Sequence, residues 1–292
     1  MDWANRRKII YIVGFMAAIV LLAAYPVYLL INQPPTCFDK KKNGTEAGVD
    51  CGGKCALVCA FEVKAPRVVW AKAFSIGGNY YDLGAYVENV NTDAGIRSLR
   101  YTIRVFNESD QVLAETNGKS ELAPSSATLL FETNVAFSGN PSRVEVVFDP
   151  EDLTKWTKAS IPSSVVLTKN QSLINTDAKP RFDAVLINTD PINDVAKLVL
   201  GAVIYDAFRN PVAVSKTYVD SIPSGGEQNI FFTWTNRFTK YARNEKCKGL
   251  IDTSIASGSA SSTATSTVPT FPCPKENFIT EIVVTPTAIF QK

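Results

Sequence analysis

The 292-residue chain has no histidine and only two methionines. Without an imidazole it has no Ser-His-Asp or Cys-His nucleophile system, no His-ligated zinc and no histidine pH switch. It also lacks an excess of charge of either sign: 30 Lys and Arg stand against 28 Asp and Glu, a net of +2. That balance leaves no basic footprint for a nucleic acid, and none is expected as a partner. No phosphate-cradling glycine loop, Gly-x-Ser-x-Gly elbow or metal triad occurs. Gly77-Gly78 and Gly225-Gly226 read as turn signals, and the acids Glu145, Asp149, Glu151 and Asp152 as a solvated joint between domains. These absences predict a protein with no catalysis of its own and no cofactor.

An apolar run comes first. Ile9 to Ile31 is 23 residues without a charge, about 34 Å as a helix against a hydrocarbon core of about 30 Å. It continues past Ala23-Ala24 through Tyr25, Val27, Leu29 and Leu30, longer than the apolar region of a signal peptide. It therefore predicts an uncleaved transmembrane helix over 9–31, with the lipid bilayer as its partner. Pro26 is tolerated in such a span. Arg6, Arg7 and Lys8 precede it against the single acid Asp2, which keeps residues 1–8 in the cytoplasm and exports the rest. Lys40, Lys41 and Lys42 weaken that asymmetry, but they start nine residues beyond the span. The expected location is the cell membrane, single-pass, with the C-terminal domains outside. All six cysteines (Cys37, Cys51, Cys55, Cys59, Cys247 and Cys273) follow the span, an even number suited to disulfides in an oxidising compartment.

Residues 36–60 form a cysteine-rich neck. Four cysteines and four glycines fall between Cys37 and Cys59, too little apolar content for a core, so covalent closure must hold it. Three pairings are open. Four thiolates are also a zinc set, though the oxidising compartment and the 14 positions from Cys37 to Cys51 speak against it. Asp39, Asn43, Glu46 and Asp50 offer oxygens to calcium, or cap turns by Asx-type hydrogen bonds; no Asp-x-Asp-x-Asp-Gly loop is present. The disulfide staple is the default expectation. The run Cys37-x-Asp39-x3-Asn43-Gly44-x-Glu46-x3-Asp50-Cys51-Gly52-Gly53-x-Cys55-x3-Cys59 resembles a motif of exported bacterial and archaeal surface proteins. That resemblance implies exported architecture rather than an activity.

From Phe61 onward the sequence turns to short alternating strands. Leu99 to Phe106 alternates apolar and polar with period two, as a half-buried antiparallel strand does. Turn signals about ten residues apart predict β-sandwiches. The sequence also matches itself at an offset of 99: Leu83, Ala85, Val87 and Asn89 fall on Phe182, Ala184, Leu186 and Asn188. Val105-Phe106-Asn107 falls on Ile204-Tyr205-Asp206 and Pro124-Ser125 on Pro223-Ser224, without a gap. This is a tandem duplication of one unit of immunoglobulin-like size. The fold expected is mainly β: one transmembrane helix, a disulfide-rich neck, a sandwich over 61–160 and a second over 161–292.

Trp70, Phe106, Tyr205 and Trp234 are expected in the cores. The second copy carries a Ser/Thr-rich insertion, 248–272, expected to be closed by a Cys247–Cys273 bridge. Sequons stand at Asn43, Asn107 and Asn170. With Pro150 and Pro162 in the connection, the sandwiches are expected end to end at a restricted angle. Val203-Ile204-Tyr205-Asp206 resembles the core of FxLYD-type domains, and the repeat is similar to these and to CARDB-like immunoglobulin-like domains; Val105-Phe106-Asn107 departs by its Asn. The resemblance implies interaction or spacer modules. The function expected is a membrane-anchored scaffold, adhesion or assembly protein with envelope or surface proteins as partners. The alternatives are a cell-wall or glycan-binding module, or an accessory subunit of an envelope secretion or pilus machine.

Overall fold

The computed structural model describes residues 3–31, 34–161, 166–238, 278–285 and 289–291. The chain is mainly β, with one long helix and two tandem immunoglobulin-like sandwiches, and it divides into two units, Met1–Cys55 and Ala56–Lys292.

The first unit opens with α1, Trp3–Ile31, 29 residues long and uncharged from Ile9 onward. It starts six residues before the apolar run and takes Arg6, Arg7 and Lys8 into its first turns, where the Arg7 guanidinium lies 3.9 Å from the centre of the Trp3 ring. The helix is long and apolar enough to cross a membrane. Pro26 sits inside it; its missing N–H leaves the Leu22 carbonyl without its helical partner. The neck that follows is turns rather than regular structure, closed by a Cys37–Cys55 disulfide. Cys51 and Cys59 are disulfide-bonded as well. Gly53 has φ +56°, and a Cβ there would fall 1.7 Å from the Thr45 carbonyl oxygen, so the loop crosses itself where only glycine fits.

Fourteen strands lie among the described residues of the second unit. In the first sandwich, β1 (Arg67–Gly77), β2 (Tyr80–Asn89) and β5 (Ser126–Ala136) form one sheet in the order β1-β2-β5. The facing sheet is built on β3 (Ala94–Phe106), which pairs with β4 (Val112–Leu122) on one side. On its other side β3 pairs with β6 (Arg143–Phe148) along its second half and with β7 (Thr157–Ser160) at its start. This sandwich starts before Phe61: Val58 N–H donates to the Trp156 carbonyl at 2.8 Å, Leu57 bridges Thr157, and Val58 joins the core. In the second sandwich β8 (Val166–Ile174), β9 (Arg181–Asn188) and β12 (Glu227–Thr233) make one sheet, and β10 (Val195–Tyr205), β11 (Pro211–Ile222) and β13 (Ile279–Thr285) the other. The last strand, β14 (Ile289–Phe290), returns to pair with β7.

The duplication holds strand for strand, β1 to β6 matching β8 to β13 with the same partners. Two of its signature residues are polar staples. Asn89, 2% exposed, donates from Nδ2 to the carbonyls of Ala94 and Ala123, both at 2.8 Å. Asn188, fully buried, donates to the equivalent carbonyls of Asn193 and Ile222, at 2.8 and 3.2 Å. The other pair builds the hairpin turn after β3 and β10. Asn107 Oδ1 accepts from Ser109 and Gln111 N–H, and Asp206 Oδ1 from Phe208 and Asn210 N–H, all at 2.9 Å. The match slips by one residue after the Pro-Ser pair, where Leu130 lies opposite Ala85 and Ile230 opposite Ala184. A longer insertion precedes β13: Phe148 of β6 pairs with Tyr101 of β3, but the residue paired with the equivalent Leu200 is Val284. The insertion 248–272, with Cys247 and Cys273, lies outside the described residues.

The sandwiches are not end to end. The sheet β1-β2-β5 lies face to face with the sheet of β10, β11 and β13, and a separate apolar cluster of Phe74, Leu129, Val203, Val214 and Val283 fills the seam. Strand alternation explains how each sheet serves two interiors. In β2, Leu83, Ala85 and Val87 point into the first core while Tyr86 packs in the seam. In β10, Leu198, Leu200, Ala202 and Ile204 point into the second core while Val203 and Tyr205 pack in the seam. Leaving both outer apolar faces in water, as an end-to-end array requires, would forgo about 25 cal/mol for each Å² of apolar surface. The end-to-end arrangement expected from Pro150 and Pro162 thus gives way to face-to-face burial.

Candidate functional site

Three sets of residues flagged by sequence can be placed. In the neck, the bridged sulfurs of Cys37 and Cys55 converge with Glu46, but a disulfide sulfur has no thiolate to give zinc. Asp39 Oδ1 accepts from Lys41 N–H at 2.9 Å and its Oδ2 from Asn43 Nδ2 at 2.7 Å. These bonds, that of Asn43 first, hold the Asp39 carboxyl below its ordinary value. Both oxygens of Asp50 accept from Lys40 N–H, at 3.1 and 3.0 Å, and Glu46 Oε2 accepts from Asn43 N–H at 3.2 Å. The four side chains thus lace the loop as turn caps. A calcium ion would compete with these N–H donors for the same oxygens. Asn43 Oδ1 is buried and has no hydrogen-bond partner.

Three of the four acids at the end of the first sandwich, Asp149, Glu151 and Asp152, gather around Arg100. Asp152, with a side chain 4% exposed, receives its Nε at 2.8 Å and its backbone N–H at 3.0 Å, and Asp149 lies 3.1 Å from Nη1. Glu151 and Asp152 both reach Lys155, and Glu145 pairs with Arg143. The Arg100 bonds hold the Asp152 carboxyl well below the usual carboxylate range and raise the guanidinium in turn. Asp149, Glu151 and Asp152, read as a solvated joint, are an ion-pair cluster that anchors a short 3-10 turn, 152–154, to Arg100 of β3, and Glu145 stands apart from it.

The third set is the aromatics, and here sequence reasoning missed the seam. Trp70 and Tyr205 pack in it rather than in a sandwich core, and Tyr86 joins them with its ring centre 6.0 Å from that of Trp70. Polar bonds cross the seam at its margins. Tyr86 Oη donates to Glu281 Oε1 at 2.9 Å, Lys72 Nζ to the Pro211 carbonyl at 2.8 Å, and Asn236 Nδ2 to the Ser75 carbonyl at 2.9 Å. Burial first, then Glu281, pushes the Tyr205 phenol up to about 12 and that of Tyr86 further; burial lowers the Lys72 amine. Phe106 lies under the Arg143 guanidinium at 3.9 Å, and Trp234 donates Nε1–H to the Val214 carbonyl at 2.8 Å.

At one end the seam widens into a cleft of about 260 Å³, walled by Phe74, Phe131, Val214, Trp234 and Phe238 with Asp82, Thr133 and Asn236 among its polar groups. Asp82 Oδ1 already accepts from Thr133 Oγ1 at 2.6 Å and from Asn134 N–H at 3.2 Å. An apolar cleft with a few convergent polar groups is the form of a small-ligand site. The sequence signal for the seam was in the repeat. Arg100, Thr102 and Arg104 face outward on β3, and the equivalent residues on β10 are Val199, Gly201 and Val203.

No protein-family model matches the chain, and no curated protein matches it. Among solved structures it is similar to a transglutaminase from red sea bream: 9% identity, TM-score 0.17, over 60% of this chain and 28% of that one. It is also similar to the C-terminal globular domain of an oligosaccharyltransferase from Pyrococcus abyssi: 10% identity, TM-score 0.19, over 78% of this chain and 47% of that one. The chain spans less than half the length of either. Likeness at this level carries no argument about fold or chemistry.

Proposed function

We propose that this is a single-pass membrane protein, N-terminus in the cytoplasm, whose β unit stands outside the cytoplasm as a scaffold, adhesion or assembly platform with no catalysis of its own. The observation that carries the reading is the seam: two sandwiches joined through the apolar cluster around Phe74, Leu129 and Val203 present their outer surfaces as one preorganised body. A partner that docks on such a body does not have to order it first, which lowers the entropic cost of association. Arg6, Arg7 and Lys8 before the apolar run support the orientation. The oxidised Cys37, Cys51, Cys55 and Cys59 support an oxidising compartment. The resemblances of the neck and of the repeat to prokaryotic surface proteins agree.

Crosslinking in intact cells followed by capture of the full-length chain tests the reading. Recovery of defined envelope or surface proteins is the expected result, and recovery of none overturns it. Protease added to spheroplasts should digest the β unit; its full protection sinks the outward placement. The seam cleft favours a second reading, a module that binds a small or glycan ligand against Trp234 and Phe74. Specific retention of the purified β unit on cell-wall polysaccharide, lost in Trp234→Ala, would support it.

A further inference from the structure

We propose that Asn170 is an acceptor for an N-linked saccharide, and that it alone of the three sequons serves in the folded protein. The inference rests on the outward placement proposed above, because transfer takes place on the exported side.

Asn43-Gly-Thr, Asn107-Glu-Ser and Asn170-Gln-Ser are equal as sequence, but the fold separates them. Asn43 is half-buried in the disulfide-closed neck, with its Nδ2 held by Asp39 at 2.7 Å. Asn107 is half-buried too; its Nδ2 donates to Gln111 Oε1 at 3.0 Å while its Oδ1 holds two backbone N–H groups of the hairpin turn. Both amides are part of the frame that shapes their own loops.

Asn170 is placed differently. The β8–β9 ladder runs from Lys169 opposite Val185 directly to Ser172 opposite Asp183, so Asn170 and Gln171 together face the single residue Ala184. That is a β-bulge, a device that re-aims a side chain. Asn170 takes φ +53°, the left-handed region that asparagine tolerates. Asn170, Gln171 and Ser172 are all exposed. Gln171 is tied back to Thr168 and to Thr280, whereas among the described residues Asn170 Nδ2 donates to nothing. Among the described residues the strand is an edge of its sheet, with nothing paired beyond it. A saccharide here would displace no hydrogen bond of the Asn170 side chain among the described residues and would shield the edge from pairing with another chain.

The chemistry is substitution at the anomeric carbon of a lipid-diphosphate-linked saccharide. Asn170 Nδ2 forms the new C–N bond and gives up one proton to a base of the transferase. The sugar–oxygen bond breaks, and the lipid diphosphate leaves with its electron pair.

The test is glycopeptide mapping by mass spectrometry of the full chain purified from its own membranes, alongside external protease digestion of spheroplasts. A saccharide on the peptide holding Asn170, with those of Asn43 and Asn107 bare, is expected. The shift in electrophoretic mobility should be lost in N170Q and in S172A and retained in S109A. A bare Asn170 on a β unit that external protease digests overturns this proposal and leaves the topology standing. A saccharide on Asn43 or Asn107 also overturns it. A β unit protected from protease overturns the topology, and this inference falls with it.

Discussion

At the scale of the residue, two buried polar side chains carry more structural information than most of the apolar ones. Asn89 and Asn188 each tie the same two equivalent carbonyls to the end of a strand, and Asn188 adds that of Pro223 at 3.1 Å. Asn89→Ala would leave the carbonyls of Ala94 and Ala123 buried without that donor. Both of those residues are fully buried. The Ala123 carbonyl keeps its bond from Ser126 Oγ at 2.8 Å, so the unsatisfied group is that of Ala94, and a loss of roughly 1–3 kcal/mol is expected, read as a fall in the urea midpoint. Asn117→Ala, at an exposed site, should cost less than about 0.5 kcal/mol. Asp152 makes a prediction about acid. Its carboxyl is held below its unfolded value, so the Arg100 pairing stabilises fully above about pH 4 and is lost as pH falls through the lower, folded value. Thermal melts should therefore show Asp152→Asn less stable at neutral pH but with a shallower decline below pH 4 than the parent. Parallel declines would remove Asp152 from the acid response.

At the scale of the element, β3 and β10 show what a duplication can change without changing the fold. Both keep the inward set, Leu99, Tyr101, Ile103 and Val105 against Leu198, Leu200, Ala202 and Ile204. The outward set differs, and that difference is the seam. A Cβ on Gly201 would lie 2.7 Å from Leu129 Cδ2 and 2.9 Å from Leu129 Cβ, so the seam closes on a glycine. Gly201→Ala should cost about 1–3 kcal/mol by overpacking. Combined with Leu129→Ala, the total loss should fall short of the sum of the two single losses by at least about 0.5 kcal/mol, as expected for residues in contact. Strict additivity in denaturant melts would place the cost outside the seam.

The same comparison shows what was legible in advance. The strands, the repeat and the Asn107 and Asp206 turns could be read because period-two alternation and Asx hydrogen bonding act within a few residues. The seam could not be read from one strand, since an apolar side chain has the same sequence whether it meets its own core or a neighbour's sheet. The unbroken run Leu198-Val-Leu-Gly-Ala-Val-Ile-Tyr205 was the available sign of a strand covered on both faces. In the neck, Cys37 to Cys55 was one of several allowed pairings, and the loop crossing of Gly53 on Thr45 beside it is a matter of backbone path that cysteine spacing does not encode.

At the scale of the whole β unit, the seam joins unlike faces: the β1-β2-β5 sheet of one copy meets the β10-containing sheet of the other. Such a heterologous contact would propagate into a filament if both free ends repeated it. They do not. The first copy's free face carries Arg100 and Arg104, and where the seam uses Trp70, Gly84 and Leu129 the second copy has Lys169, Asp183 and Asn229. Two sandwiches that share a buried seam should unfold together, and calorimetry of the β unit near pH 7 should show a single transition. Alkali should part them. Tyr86 and Tyr205 sit at the seam with phenols raised by burial and by Glu281, so the neutral phenol is the form the fold favours. For a group raised in this way the stabilisation is complete below the unfolded value, about 10, and is lost as pH climbs through the folded value. For Tyr205 that value is about 12. Ionised Tyr86 would also face the Glu281 carboxylate across 2.9 Å. Between pH 10 and 12 the single transition should divide in two, the seam opening before the sandwiches melt. In the variant carrying Tyr86→Phe and Tyr205→Phe the transition should stay single to higher pH. Tyr101, buried within the first sandwich and raised for the same first reason, titrates in parent and variant alike and sets the common baseline. Two separate transitions already present at pH 7 would mean that the sandwiches are independent, and the platform reading would lose its physical basis.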